Sequence, residues 1–343
     1  MIRTKVTRTS ALTRFVPAGK LSHAHRSFLP MLALCLATAA WSQSTPGPKG
    51  LHRPAVMPGA IPGAKLTADA PASAQYRFIT LDVPPSSFTQ AAGINNARLV
   101  SGFYEDASDT LHGFIWQNGA FQTADYPGGL YTYLGTVNNY SVALGYYGDG
   151  TAEHTVTYSV PSGAWSVLPD IPGYSDNEGY GNNDAGFAVG TAYGDSTSVG
   201  WVWDPTMLSY SFLTVPGAAP SSTYPGSIND KGQIFGLFYD TNGVEHGFLK
   251  EGEIYTTIDA PGAGPRGTNG IGINNNGTMV GQYFDPDYAS QGFVLTSGGF
   301  FTTVDYPGPE MTSVNNINDR GDICGVYWHN PSGAERVFLG LRP

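Results

Sequence analysis

Residues 229–236 read Asn-Asp-Lys-Gly-Gln-Ile-Phe-Gly, and versions of this eight-residue phrase occur six times in the 343-residue chain. Successive copies lie 43, 45, 46, 45 and 44 residues apart; they begin at Asn95, Asn138, Asn183, Asn229, Asn274 and Asn318. A nearly fixed period in the forties, built from residues that favour strands, indicates a β-propeller or a solenoid. The phrase is therefore the feature from which the fold is predicted.

The repeat at residues 212–252 shows the strand content most clearly. Asn229-Asp230-Lys231-Gly232 predicts a tight turn, because Asn and Asp start turns and a Gly three positions later adopts the left-handed conformation. Residues 240–243 predict a second turn, and residues 246–249 and 254–259 predict two further strands. No window has sustained helical periodicity. Four short antiparallel strands in about 45 residues are the content of one propeller blade.

The two ends of the repeat region are complementary. A fourth-strand pattern stands alone at residues 78–83, before any complete repeat, whereas the last repeat ends on a third strand at residues 337–340. Pairing these two strands would complete the last blade and remove free sheet edges. We therefore predict an all-β fold: a six-bladed β-propeller of four-stranded antiparallel blades, with the ring closed by an N-terminal outer strand that pairs with the C-terminal blade.

The N-terminal segment differs in composition from the rest. Residues 1–42 hold six of the 17 basic residues and no acid, and an apolar run at residues 28–40 is shorter than the roughly 20 residues of a membrane helix. This pattern is typical of a secretory signal peptide. We predict a signal peptide at 1–42, a Pro/Ala/Gly-rich flexible linker at 43–75 and the six-repeat propeller at 76–343. The expected location is secreted, periplasmic or at the cell surface, with no membrane span.

Charge and cysteine content narrow the classes of function. Beyond residue 42 the chain has 27 acids and 11 basic residues, a formal net charge of −16. So acidic a surface repels phosphate backbones, which excludes nucleic acid as the expected partner. Cys324 is the one cysteine outside the signal peptide, and we predict that it is buried as a small apolar side chain. We expect a monomer.

The predicted topology sorts the turns onto two rims. If the N-terminal strand is outermost, the Asn turns lie on one rim, and the Asp-x-x-Gly turns and the Asp-x-Pro-Gly crossings between blades lie on the other. That second rim collects acids from turns and from crossings: Asp106, Asp149, Asp195, Asp240 and Asp285, then Asp82, Asp125, Asp170, Asp259 and Asp305. These acids are interpreted as caps of their own turns. The alternative is that their oxygens bind a hard cation such as Ca²⁺. We predict no cofactor.

Tyrosines crowd the same rim. Aromatic rings beside carboxylates are typical of a sugar-binding surface, where a ring packs on the apolar face of the sugar and the acid accepts hydrogen bonds from hydroxyls. Tyrosine is also common at the ends of strands, which is the structural alternative. The candidate ligand-binding residues are Asp125, Tyr126, Asp149, Asp240, Asp285, Tyr288, Asp305 and Tyr306.

Three histidines occupy equivalent places in third strands: His112, His154 and His246. A zinc site needs a tight group of ligands, and the third strands lie away from the propeller axis in this topology. We interpret the histidines as contacts to neighbouring turns.

The repeat resembles the probable extracellular family that is named for a His-Ala-Phe tripeptide, the HAF repeat family. The resemblance covers about residues 76–341 and is carried by Ile94-Asn95-Asn96, residues 273–277, His112-Gly113-Phe114 and His246-Gly247-Phe248, with Gly in place of the family's Ala. It implies export, and it implies no known reaction.

No catalytic motif stands out from the sequence. A nucleophile elbow, a Walker loop and a His-Glu-x-x-His motif are all missing from it. We therefore predict an exported non-catalytic β-propeller that acts as a recognition or scaffold module for extracellular glycans or a protein partner. The alternative is a polysaccharide hydrolase or lyase that uses carboxylates of the rim.

Overall fold

The computed structural model describes residues 75–81, 86, 88–308, 311–329 and 334–343. All of them belong to one compact unit, Pro46–Pro343. The predicted signal peptide, the predicted linker up to residue 74 and the predicted rim residue Asp82 lie outside the described residues. Every regular element described is a β-strand. The all-β class is therefore confirmed for this part of the chain.

In chain order the strands are β1 (Arg77–Thr80), β2 (Phe88–Ile94), β3 (Val100–Glu105), β4 (Leu111–Gln117), β5 (Ala120–Thr123), β6 (Tyr131–Val137), β7 (Val142–Gly148), β8 (Glu153–Ser159), β9 (Ala164–Val167), β10 (Asp176–Asn182), β11 (Ala188–Tyr193), β12 (Ser198–Asp204), β13 (Ser209–Leu213), β14 (Ala218–Ile228), β15 (Ile234–Asp240), β16 (Glu245–Glu251), β17 (Ile254–Ile258), β18 (Thr268–Ile273), β19 (Met279–Phe284), β20 (Ser290–Leu295), β21 (Phe301–Val304), β22 (Met311–Ile317), β23 (Ile323–His329) and β24 (Ala334–Leu341).

The strands pair into four-stranded antiparallel units. Units 1 to 5 consist of β2–β5, β6–β9, β10–β13, β14–β17 and β18–β21, each paired in chain order, and unit 6 consists of β22–β24 with β1. One parallel bridge, Asp176 to Glu153, connects units 2 and 3 in a single hydrogen-bonded sheet. In unit 6, β1 runs antiparallel to β24, with Phe78 opposite Gly340. This is the strand pairing that the complementary chain ends predict.

The last glycine of the phrase is required by a close approach of two strands. The first strand of unit 3 carries a bulge between Gly179 and Gly181. A Cβ atom on Gly190 would lie 2.0 Å from the Glu178 carbonyl oxygen and 2.3 Å from the Trp201 ring. The equivalent glycines would place a Cβ between 2.0 and 2.3 Å from a carbonyl oxygen of the neighbouring strand: Gly102, Gly145, Gly236, Gly281 and Gly325. Steric contact with the neighbouring strand, and not the geometry of the turn, therefore restricts the eighth position of the phrase to glycine.

The apolar core lies mainly at the junctions between consecutive units. Among the described residues, a buried apolar cluster occupies each such junction, including the one between units 6 and 1. Cys324 belongs to the cluster between units 6 and 1 and is fully buried, as predicted. Burial raises the pKa of its thiol. Cys324 is therefore a packing residue.

Candidate functional site

We call the end of each unit that carries the phrase the Asn end, and the opposite end, with the second turn and the crossing to the next unit, the Asp end. At the Asn end, Asn274 Oδ1 accepts hydrogen bonds from the N–H groups of Asn276 (3.0 Å) and Thr278 (2.9 Å). Its Nδ2 donates to the Asn318 carbonyl oxygen of the next unit (2.8 Å). The first residue of the phrase therefore caps its own turn and holds the neighbouring unit.

The same bond links every consecutive pair of phrases. Asn318 Nδ2 donates to the Asn95 carbonyl oxygen at 3.0 Å, so the last phrase bonds to the first. The remaining donor–acceptor pairs are Asn95 to Asn138, Asn138 to Asn183, Asn183 to Asn229 and Asn229 to Asn274. These bonds form a continuous belt.

The second residue of each phrase forms a parallel belt. The Asn275 N–H donates to Asp319 Oδ1 (2.8 Å), and the Asp319 N–H donates to Asn96 Oδ1 (2.9 Å). The other pairs are Asn96 to Asn139, Asn139 to Asp184, Asp184 to Asp230 and Asp230 to Asn275. This role needs only an acceptor, which Asn and Asp both supply. The first position needs an acceptor and a donor, which only the amide supplies.

Inside the two belts lies a cavity of about 60 Å³ that residues of all six phrases line. The prediction that the phrase is a turn is correct but incomplete, because it missed the bonds between units. The signal was present in the sequence. If the first residue of the phrase only capped its own turn, Asp or Ser would also be accepted at that position, yet all six copies have Asn.

At the Asp end, each of the three third-strand histidines lies between two aspartates of its own unit. His112 Nδ1 is 2.8 Å from Asp125 Oδ2 in the crossing, and its Nε2 is 3.4 Å from Asp106 Oδ2 in the turn. The equivalent sets are His154 with Asp170 and Asp149, and His246 with Asp259 and Asp240. The second turns and the crossings therefore share one end, and the interpretation of the histidines as contacts to turns is confirmed.

The aspartates of the second turns cap those turns. Asp149 Oδ1 accepts hydrogen bonds from the Thr151 N–H (2.7 Å) and the Ala152 N–H (2.9 Å). The Thr151 hydroxyl also donates to it, and these bonds lower the pKa of the Asp149 carboxyl. Asp106, Asp240 and Asp285 each accept two backbone N–H bonds in the same manner. The capping interpretation is therefore confirmed for these four acids.

The eight candidate ligand-binding residues are distributed along the Asp end. Asp125 and Tyr126 lie in the crossing after unit 1, Asp149 in the second turn of unit 2, and Asp240 in that of unit 4. Asp285 and Tyr288 lie in the second turn of unit 5, where Tyr288 is 53% exposed and has a φ of 65°. Asp305 and Tyr306 follow in the crossing to unit 6. The residues share one end of the units, and ligand binding by them stays a prediction.

Two of these tyrosines are held by stacking. The Tyr126 ring lies 3.8 Å from that of Tyr147 between centroids, and the Tyr306 ring lies 3.8 Å from that of Tyr327. The Tyr306 hydroxyl also bonds with the Thr80 hydroxyl at 2.9 Å. Both rings remain half-buried, beside the exposed carboxylates of the residues that precede them, Asp125 and Asp305. Each of these two crossings thus presents a stacked aromatic ring next to an acid.

Buried glutamates near the Asp end were missed by the sequence analysis. Glu153 and Glu245 occupy the same register position in the third strands of units 2 and 4. The Tyr131 hydroxyl donates to Glu153 Oε1 (2.5 Å), and the Tyr239 hydroxyl donates to Glu245 Oε1 (3.0 Å). Burial raises the pKa of Glu245 to about 7, although the nearby Arg266 guanidinium lowers it. The signal available in the sequence was the glutamate that directly precedes the third-strand histidine in units 2 and 4.

Glu178 of unit 3 is buried against Glu153. Burial and the nearby Glu153 charge raise the pKa of Glu178. The Tyr180 hydroxyl donates to Glu178 Oε2 at 2.6 Å. The protonated form of Glu178 is therefore favoured, because a second negative charge in the interior would be costly.

Two classes of feature are not found among the described residues. No group of three or more His, Cys, Asp or Glu side chains comes together in them as a metal site would require. The described part of the chain also has no helix that is long and apolar enough to cross a membrane.

No protein-family model matches the sequence, and no curated protein matches it. Among solved structures, the chain is similar to a variant of the Aleuria aurantia lectin in complex with Fucα1-6GlcNAc, with 10% identity over 74% of this chain and 93% of that chain, and a TM-score of 0.49. It is also similar to the β-propeller domain of the trilobed protease from Pyrococcus furiosus, with 7% identity, coverage of 75% and 94%, and a TM-score of 0.47. A third similar structure is TolB from Acinetobacter baumannii, with 9% identity over 76% of this chain and 65% of that chain, and a TM-score of 0.49. At these values the similarities assign neither a family nor a function.

Proposed function

We propose that the chain is a closed six-bladed β-propeller of the HAF repeat family, exported from the cell, that acts as a non-catalytic recognition module for extracellular glycans or a protein partner. Closure is supported by the β1–β24 pairing and by the belts, in which the last phrase bonds to the first. Export is supported by the basic and then apolar N-terminal sequence. Family membership is supported by the repeated phrase.

The observation that carries the binding function is the pair of stacked tyrosines beside exposed acids. Tyr126 on Tyr147 and Tyr306 on Tyr327 hold an aromatic ring at a fixed angle at two crossings. A fixed ring binds the apolar face of a sugar without losing side-chain entropy, and the adjacent carboxylate accepts hydrogen bonds from hydroxyls. This arrangement needs no reactive group.

Binding is favoured over catalysis by the state of the second-turn acids at the Asp end. A glycosidase needs a carboxyl group that stays protonated near neutral pH so that it can act as general acid. The pKa values of Asp106 and Asp149 are instead lowered, by hydrogen bonds from the backbone N–H of Thr110 and from the Thr151 hydroxyl. These two acids suit charge recognition better than proton donation. Burial raises the pKa of Asp305 and of Glu245, and the Glu245 side chain is buried away from solvent.

The test is affinity electrophoresis of the full exported chain through gels that contain different neutral and acidic polysaccharides. The double variant Tyr126→Leu with Tyr306→Leu keeps an apolar side chain against each partner ring but removes the aromatic face. We expect at least one polymer to retard the wild type and the double variant to bind it about tenfold more weakly, which corresponds to about 1.4 kcal/mol. Assays of the same mixtures for new reducing ends should find none.

Phe300→Leu is the matched control, because Phe300 is 49% exposed and lies in a third turn at the Asn end. Retardation that the double variant leaves intact would contradict binding at the Asp end. Release of product, abolished by Asp125→Asn, would establish the hydrolase or lyase alternative instead.

A further inference from the structure

The junction between units 2 and 3 contains a cleft of about 270 Å³ beside the Asn turns. Leu144, Leu168 and the buried indole of Trp203 form an apolar wall. Tyr140, which is 70% exposed, lines the outer part of the cleft. The cleft therefore reaches the surface at the end of the molecule opposite the candidate ligand-binding residues.

The cleft exists because this junction is packed differently from the others. Three positions meet at each junction: a third-strand residue of one unit and, in the next unit, the residue before the phrase and the sixth residue of the phrase. At five junctions all three are apolar: Ile115, Val137 and Ala143; Val202, Ile228 and Ile234; Leu249, Ile273 and Met279; Val294, Ile317 and Ile323; Leu339, Ile94 and Val100. Between units 2 and 3 they are Thr157, Asn182 and Ala188, and all three line the cleft.

This difference is costly for packing. The other junctions show that the fold accepts Ile, Val or Leu at these places, and loss of buried methyl groups lowers stability both by lost transfer free energy and by the space left behind. The chain thus forgoes apolar packing at one junction and gains polar groups there. Such a mixture of apolar walls and a few polar groups is characteristic of a ligand pocket.

The polar groups retain capacity for a ligand. The Thr157 hydroxyl makes no side-chain hydrogen bond to any described residue. Asn182 Nδ2 donates to the Val142 carbonyl oxygen (3.0 Å), and its Oδ1 accepts from the Thr136 hydroxyl (3.1 Å). An amide has two N–H donors and two acceptor lone pairs, so each atom has one further bond to offer. Asp184 adds a carboxylate to the same lining.

Size and charge define the occupant. Pockets for drug-sized ligands have volumes of roughly 300–1,000 Å³, so this cleft fits one ring and not an oligomer. Its lining contains no Lys or Arg, and Asp184 disfavours anions. We propose that the cleft binds a single neutral sugar ring, with the apolar face of the sugar against Trp203 and Tyr140 and its hydroxyls toward Thr157 and Asn182. This inference shares a ligand class with the proposed function but rests on a different site.

The test uses saturation-transfer NMR and titration calorimetry with a panel of neutral methyl pyranosides and the full exported chain. Thr157→Leu fills the cleft with a residue that Leu249 and Leu339 show to be accepted at the equivalent position. We expect at least one glycoside to bind, and to lose about tenfold or more in affinity in Thr157→Leu while the melting temperature does not fall. Val294→Ile, at the equivalent position of a filled junction, should leave binding unchanged.

The outcomes separate this inference from the proposed function. No binding by any glycoside of the panel, or equal binding to Thr157→Leu and wild type, would overturn the cleft site. If N-acetyl-leucine amide binds and no glycoside does, the ligand is not a sugar, and an apolar peptide side chain is indicated as the occupant instead. If polymer retardation depends on Tyr126 and Tyr306 while Thr157→Leu has no effect on glycosides, the proposed function survives and the cleft fails. If the wild type binds a glycoside, only Thr157→Leu removes that binding and no polymer is retarded, the cleft site survives and the proposed function fails.

Discussion

The Asn end and the Asp end use the same turn-forming residue types, but the side chains of these residues differ in whether their hydrogen bonds reach the next unit or stay within their own. At the Asn end, Asn274 bonds to the Asn318 carbonyl oxygen of the next unit, and the equivalent bonds continue through every phrase. At the Asp end, Asp149 caps its own turn and contacts His154 of its own unit. The asparagine belts therefore join units to each other, whereas the bonds of this second-turn aspartate stay within one unit.

This difference teaches where sequence variation is tolerated. A belt between units requires the same donor and acceptor at every copy, because each amide serves a partner about 45 residues away. A cap within a unit requires only an acceptor, and the residues around it are free to change. The Asp end therefore varies among repeats.

The largest effect is expected from breaking the belt. Asn274→Asp keeps the acceptor that caps the turn but replaces the donor with a buried carboxylate that faces the Asn318 carbonyl oxygen. We expect the free energy of unfolding to fall by about 3 kcal/mol, because a buried acceptor loses its partner and a charge is left without one. Urea denaturation monitored by tryptophan fluorescence measures this. Asp230→Asn, in the second belt, should change stability by less than about 1 kcal/mol, and an equal loss in both variants would contradict the division of roles.

A smaller effect is expected at the buried glutamate near the Asp end. Glu245 has its pKa raised by burial to about 7 from 4.5, so the folded chain keeps this proton in a range where the unfolded chain has lost it. The free energy of unfolding should therefore fall as pH rises from 4.5 to 7, by an amount on the order of 2 kcal/mol. Glu245→Gln, which mimics the protonated acid, should flatten this slope in denaturation curves recorded at several pH values. The exposed Glu253→Gln is the control, and an unchanged slope in Glu245→Gln would exclude the assignment.

The smallest effect is expected from the bridging histidines. The hydrogen bond from His246 to Asp259 raises the pKa of His246, so its contribution to stability is complete below about pH 6.5 and is lost as pH rises through the folded-state value. Because the pair is partly exposed, the contribution should be below about 1 kcal/mol. His246→Gln, which copies Gln291 of unit 5, should remove this pH dependence from the melting temperature above pH 6. A steeper dependence in the variant would contradict the bridge.

Much of the fold could be predicted from the sequence because its information is local. The turn at Asn229, the strands on either side and the caps at Asp149 and Asp240 each depend on residues within a few positions. The pairing of the strand at Phe78 with the last unit is not local, but it follows from counting strands, because one strand was left over at the N-terminal end and the last repeat lacked one. The ligand-binding residues at the Asp end stay predictions.

Other features could not be predicted because they depend on neighbours from another repeat. The raised pKa of Glu178 depends on burial where unit 2 meets unit 3 and on the charge of Glu153 from the neighbouring repeat. Likewise, Thr157 and Asn182 are unremarkable in sequence and define a cleft only when the two units are side by side.

The sequence by itself determined the repeat, the four-strand content of each copy and the residues that turn the chain, because turn and strand preferences act over a few residues. Only the tertiary structure decided that the invariant Asn joins units and that one junction stays open. Those outcomes depend on which side chains of different repeats face each other, over separations at which no local preference acts.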